Sequence, residues 1–251
     1  MSFEVAADAY GRFMGRYSEP LATQFAGLAP GGRALDVGCG TGALTGELVV
    51  RLGSGNVAAA DPSEAFVAAA RARFPGVDIR RAAAEALPFA GGEFDAALAQ
   101  LVVHFMADPV AGLREMARVT RPDGVVAACV WDHAGGGGPL ATFWTAALQL
   151  DPAAHDESGL AGAREGHLAE LFAAAGLRDV EETSLTVRTA FAGFDDWWEP
   201  FTLGVGPAGD YVRGLDTAAR DALRARCATL LPPHGPIEIT ASAWTASGRV
   251  A

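Results

Sequence analysis

Between residues 33 and 132, short apolar runs alternate with amphipathic helical stretches, and this alternation restricts the fold more than any other feature of the chain. "RALDV", "NVAAAD", "VDIRRAA", "FDAALAQLV" and "GVVAACVWD" read as strands, and "TGALTGELVVRL", "SEAFVAAARARF" and "DPVAGLREMARVT" read as helices between them. Strands joined through helices of this length run parallel, with right-handed crossovers. "FDAALAQLV" is apolar throughout, as a strand covered on both faces must be. The pattern predicts an α/β fold with a doubly wound, mostly parallel sheet.

After Asp132 the rhythm changes. "HAGGGGPL" reads as a flexible loop or hinge, and "ATFWTAALQL" and "EGHLAELFAAAGL" as helices, the second stopped at Gly176. "LTVRTAF" and "PIEITASAW" alternate apolar and polar residues, the period of a strand. No helix follows the last of them, so it is expected to lie antiparallel. That brings the sheet to seven strands. The residues between these two strands, 191–235, are too many for a hairpin turn and predict an inserted helical cap or lid, with a helix from about Thr217 to Leu230. At the other end, Phe3, Ala6, Ala7, Tyr10, Phe13, Met14 and Tyr17 form a helical stripe, either core packing or a flap over a ligand. We expect one domain over residues 1–251: a helical flap in 1–30, a binding core in 31–132, and the cap in 191–235.

The first strand ends in "LDVGCGTGALT". A strand, a glycine-rich turn and a helix N-terminus expose unpaired N–H groups and the positive end of a helix dipole. Gly38, Gly40 and Ala43 satisfy the dinucleotide pattern G-x-G-x-x-G/A only loosely. Asp36, two residues ahead of Gly38, separates the ligand classes. A carboxylate there repels a pyrophosphate and attracts an ammonium. Asp61, about 20 residues on, suits a ribose diol. The reading is a ligand with an amino acid at one end and an adenosine at the other. A nicotinamide-dependent reductase is the disfavoured alternative.

"LDVGCGTG" closely resembles motif I of the class I S-adenosylmethionine-dependent methyltransferases. "AAADPSEAFVAAAR", "AEALPFAGGEFDAALAQLVVHFMADP" and "LREMARVTRPDGVVAACVW" resemble the segments that follow in that family, so the likeness covers residues 33–132. It is greatest to the small-molecule branch that includes quinone C-methyltransferase-like enzymes. The resemblance implies a Rossmann-like sheet with an antiparallel last strand and S-adenosyl-L-methionine as cofactor. It implies cofactor contacts at Asp36, Gly38, Cys39, Gly40, Gly42, Asp61, Pro62 and Gln100. The family commonly carries an acid two residues before Glu85 that meets adenine, and this chain has Ala83 there. Either Glu85 takes that role, or backbone near Ala84 and Leu87 does. In relatives a segment like the N-terminal helix closes over the cofactor, which makes Tyr10 a contact and Arg16 a partner for the cofactor carboxylate.

Methyl transfer from a sulfonium needs a general base only when the nucleophile arrives protonated. His104, after the fourth strand, and His133, after the fifth with Asp132, are candidate bases. Each has a plainer reading as a packing or loop residue. Tyr211 is a candidate pocket residue, and Trp144, Trp197, Trp198 and Phe201 suggest an apolar or aromatic small-molecule acceptor, or else core packing. The net charge is −11 with 19 basic residues, all arginine and scattered, which argues against a nucleic-acid partner and anionic membrane surfaces. "AQLVVHF" also lacks the Asn/Asp-Pro-Pro-aromatic run of nucleic-acid amino-methylating relatives. Three unpaired cysteines, no signal peptide and no membrane-spanning run point to the cytoplasm, with no metal site and no membrane insertion. A non-catalytic binder of the cofactor fits the same donor motif. The sequence leaves the oligomeric state open.

Overall fold

The computed structural model describes residues 7–251. Of the N-terminal stripe, Phe3 and Ala6 lie outside the described residues. The rest is helical well beyond residue 17. It comprises α1 (Ala7–Tyr10), a π-helical turn at Gly11–Gly15, and α2 (Arg16–Phe25), which carries Pro20 in its first turns. Then follow β1 (Ala34–Val37), α3 (Ala43–Leu52), β2 (Val57–Asp61), α4 (Glu64–Arg73), β3 (Asp78–Arg81), β4 (Phe94–Gln100), α5 (Pro109–Val119) and β5 (Thr120–Trp131). The remainder is α6 (Ala141–Leu150), α7 (His167–Ala174), β6 (Arg178–Phe191), α8 (Phe194–Trp198), α9 (Gly206–Gly214), α10 (Thr217–Thr229) and β7 (Ile237–Arg249).

The caps are local and readable. Ser63 accepts the Phe66 N–H, and Asp108 accepts the Ala111 N–H ahead of a proline in the first turn of α5. Gly176 has φ +87°, the left-handed stop after α7.

The seven strands lie in the order β3-β2-β1-β4-β5-β7-β6. β1 to β5 pair in parallel, and β7 runs antiparallel between β5 and β6. The alternation of side chains divides the core in two. Ala34, Ala59, Leu98 and Ala127 face one layer with α2, α3 and the later helices. Leu35, Ala58, Ala60, Ala97 and Val126 face the other, with α5 and α7. Strand β4 therefore buries both faces, as its unbroken apolar pattern required.

The segment 191–235 is helical, and its aromatic side chains stack on α6: Phe143 and Phe201 lie 4.6 Å apart with rings nearly parallel. The glycine-rich turn after β5 is held, not loose. Asp132 Oδ1 accepts the Gly135 N–H, and the backbone of Ala134 and of Gly137 bonds to Ala163 and Ser242. A Cβ on Gly135 would lie 2.5 Å from the Asp132 carboxylate, so this turn wraps that side chain, and Asp132 organises its own loop. Among the described residues no helix is long and apolar enough to cross a membrane.

Candidate functional site

The carboxyl ends of β1, β2 and β4 open onto a cavity of about 450 Å³. Its floor is the loop after β1, which bends over β2: the N–H groups of Gly38 and Cys39 both donate to the Ala60 carbonyl, at 2.7 and 3.0 Å. Gly38 has φ +72°, and a Cβ there would meet Val102 at 2.4 Å, so only glycine fits. Asp61 ties the loop down. Its Oδ2 accepts the Gly40 N–H at 2.9 Å and its Oδ1 accepts the Ser63 N–H at 2.8 Å. Asp61 is 6% exposed and lines the cavity, and burial raises its pKa. Pro62, Ala83, Ala84, Glu85 and Gln100 also line it.

Asp36 lies deeper, in a side recess that Tyr10, Ser18, Cys39 and Gln100 also line. It is 1% exposed and accepts the Thr45 hydroxyl at 2.6 Å. Burial pushes its pKa up to about 7, and the nearby Asp61 charge adds to the rise. Among the described residues no cation lines this recess. Gln100 spends its amide N–H on the Ser18 carbonyl at 2.9 Å, and its buried Oε1 has no partner among the described residues. A buried carboxylate and an unpartnered amide oxygen on one recess suit a ligand ammonium. Tyr10, held as the neutral phenol by burial and by the Asp61 charge, forms the opposite wall.

A second cavity, about 60 Å³, adjoins the first across Tyr10, Phe66, Leu101 and Phe105. Phe13, Met14, Leu140 and Val205 make its wall apolar, yet three buried polar atoms on lining residues have no partner among the described residues: His104 Nδ1, His133 Nε2 and Trp131 Nε1. Burial holds both imidazoles neutral, lowering His104 to about 3 and His133 to about 4. Leu101, on the shared wall, has φ +61°, a strained conformation for a large side chain.

Sequence expectation and structure part at several residues. Arg16 does not reach the cavity: its guanidinium grips Asp196 at 2.8 and 3.1 Å and stacks on Phe191, pinning α2 to α8. Gly42 does not line the cavity either. It has φ +90°, and a Cβ would strike the Phe74 ring at 2.5 Å, so glycine serves packing there. Leu87 is buried in the α5 layer, its N–H given to Glu115. Glu85 is at the rim, but its Oε1 already accepts the Ala107 and Asp108 N–H groups. Trp144, Trp197, Trp198 and Phe201 pack in the core, and Tyr211 leans on Phe143 and Trp144. Sequence reasoning missed Trp131, Leu101 and Glu157. Trp131 and Leu101 stand at strand carboxyl ends, a place that could have drawn notice. Glu157 sits in an irregular loop with no periodic signal.

The strand order, with β7 antiparallel between β5 and β6, is the Rossmann-like fold shared with solved methyltransferases. Residues 35–128 match the family model described as "Methyltransferase domain". A demethylmenaquinone methyltransferase of Mycolicibacterium vanbaalenii is 44% identical over 105 residues, covering 41% of this chain and 43% of the relative. The chain thus matches less than half the length of that curated relative. Among solved structures, YcgJ of Bacillus subtilis superposes with a TM-score of 0.59 at 19% identity, covering 93% of this chain and 97% of that one. Geranyl diphosphate C-methyltransferase of Streptomyces coelicolor, solved with S-adenosyl-L-homocysteine, gives 0.56 at 16% identity, covering 94% and 80%.

Proposed function

We propose that the protein is an S-adenosylmethionine-dependent methyltransferase that acts, by in-line transfer, on a small apolar molecule carrying one acidic hydroxyl or enol. One observation carries this reading. A cavity walled by Asp61, with Asp36 in the recess beside it, shares a wall with a second cavity bearing two neutral imidazoles. The bound cofactor supplies a methyl group activated by a positive sulfur.

The chain's own residues bind and orient. Asp36 and Gln100 Oε1 hold the ammonium, the Gly38–Gly40 loop lies against the amino-acid end, and Asp61 takes the ribose diol. Cys39 and Tyr10 close the recess, and Pro62, Ala84 and Glu85 bound the adenine. His104 and His133, neutral and with a free ring nitrogen each, are the candidate proton acceptors. Trp131 offers a donor to the acceptor's oxygen. An apolar cavity that holds benzene measures about 150 Å³, so a ring enters only as the wall at Val205–Ala208 moves. Gly204 and Gly206, with φ +72° and +62°, flank that wall. The helical segment 191–235 then acts as a lid, and the helix through Tyr10 as a flap. The demethylmenaquinone relative makes a reduced naphthoquinone ring a suitable acceptor type.

The test is twofold. S-adenosylhomocysteine at 100 times its Kd is expected to add about 2.7 kcal/mol to folding stability, with no shift from NADPH. Labelled methyl from S-adenosylmethionine is expected to appear in 1,4-dihydroxynaphthalene kept reduced. A melt that responds only to the nicotinamide sinks the reading.

A further inference from the structure

Outside the apolar cavity lies a third, polar one of about 320 Å³, bordered by Gly136, Thr145, Asp156 and Ser158. Of the residues that line either, only His133 and Glu157 line both. Both are ionisable. The Nε2 of His133 is buried and unpartnered. Glu157 is 5% exposed and spends Oε2 on the indole N–H of Trp144 at 2.9 Å, leaving Oε1 outside that bond.

A buried carboxylate is costly without a cation or several donors, and Glu157 has one donor. The ionisable groups around it are His133 and Asp156, with His104, Asp210 and Tyr10 across the inner cavity. None of them is a cation at neutral pH, because burial keeps both imidazoles uncharged. No ion pair explains the acid. Capping Trp144 alone would be served by a glutamine without the cost of a charge. The neighbouring acids of the same loop cap their own turns, Asp151 on the Ala153 N–H and Asp156 on the Ser158 N–H. Of the three, Glu157 alone lines the inner cavity.

We propose that His133 and Glu157 form the outlet by which the proton lost from the acceptor reaches solvent. This rests on the methyltransferase reading. The acceptor exchanges one proton for one methyl group. The bond formed joins its oxygen or carbon to the methyl carbon, and the bond broken is the methyl's to sulfur, whose electron pair stays behind and cancels the positive charge. One proton is therefore left over per turnover, inside a cavity with apolar walls. An imidazole lone pair takes it, His133 passes it to the Glu157 carboxylate, and Glu157 releases it to water in the outer cavity. Burial of Glu157, and then the Asp156 charge, raise its carboxyl to about 7, against the Trp144 bond. Release from Glu157 at neutral pH is close to balanced.

Glu157→Gln keeps an acceptor for Trp144 and so preserves the fold. The first readout needs no turnover. The Trp144 indole N–H resonance is expected to titrate near neutral pH in the parent and to stay flat in Glu157→Gln; a parent resonance that does not move overturns the proposal. The second is methyl transfer to 1,4-dihydroxynaphthalene. Glu157→Gln and His133→Asn are expected to lower kcat roughly 10- to 100-fold, to erase the pH dependence near neutrality, and to leave the S-adenosylhomocysteine Kd unchanged. An unchanged kcat and pH profile with Kd intact overturns the outlet alone. A parent that neither binds S-adenosylhomocysteine nor methylates the probe overturns the methyltransferase reading and the outlet together.

Discussion

Asp36→Asn is expected to stabilise the protein while weakening cofactor binding, and the size of each effect follows from burial. The Asp36 carboxyl moves from an ordinary 3.8 to about 7, chiefly because it is buried, with the Asp61 charge opposing ionisation and the Thr45 hydroxyl favouring it. A raised acid binds its proton more tightly in the folded state than in the unfolded chain. Its contribution is thus complete below pH 3.8 and is lost as pH rises through about 7. At about 1.4 kcal/mol per tenfold in proton affinity, the relative cost of the ionised group is about 2 kcal/mol at pH 5 and about 4 kcal/mol at pH 8. Asparagine still accepts the Thr45 hydroxyl and carries no charge. The variant should therefore melt higher than the parent, by several degrees more at pH 8 than at pH 5. Glu157, raised for the same reason, tilts the parent curve in the same direction, but it is common to both proteins and cancels in the difference. S-adenosylhomocysteine affinity should fall in the variant, and in the parent it should rise between about pH 6 and 8, as the carboxylate ionises to meet the ammonium. Melts by fluorimetry at several pH values and calorimetric titration read both. A parent-to-variant difference that does not change with pH refutes the assignment of the cost to a buried charge.

Three further outcomes are expected. Arg16→Ala removes a half-exposed pair with Asp196 and should cost about 1 kcal/mol or less, with S-adenosylhomocysteine affinity unchanged; a marked loss of affinity would restore Arg16 to the cofactor site. Gly42→Ala forces a left-handed alanine against Phe74 and should cost about 3 kcal/mol, seen as a lower Tm with near-parental ligand affinity, since Gly42 does not line the cavity. Asp61→Asn leaves one of the Gly40 and Ser63 N–H groups facing an amide NH2, and it removes the charge beside the ribose. Titration calorimetry should show S-adenosylhomocysteine binding weakened by about 100-fold.

The sheet was legible because its signal is local: alternation of apolar runs and helices, a serine cap at Ser63, and a late strand with no helix behind it. That Asp36, Gly38 and Asp61 stand close together was legible for the same reason, as they fall within one strand–turn–helix unit and the next strand end. Arg16 was misplaced because its partner, Asp196, stands 180 residues away, and no periodic pattern reports which charge a long arginine will meet. The cap aromatics were ambiguous by nature, since Trp197 looks the same in a sequence whether it fills a core or lines a pocket. Glu157 lay beyond sequence reasoning altogether: a loop acid reads as solvated, and only the fold reveals that this one turns inward.

The two adjoining cavities divide the electrostatic labour. Around the first cavity Asp36 and Asp61 are both buried, and the Asp61 charge opposes ionisation of Asp36. A cationic ligand offsets that repulsion, which favours a positively charged partner. Around the second cavity, which Glu157 and Asp210 also line, His104 and His133 are kept neutral by burial and, for His104, by the neighbouring imidazole. A cationic imidazole there would oppose the approach of a second positive charge next door. On the proposed function, the cationic donor lies on one side of Leu101 and an uncharged acceptor on the other. It requires that any proton freed between them leave quickly, before an imidazolium can build up. That requirement is what a titratable glutamate at the far side of His133 would meet, and a glutamine in its place would not.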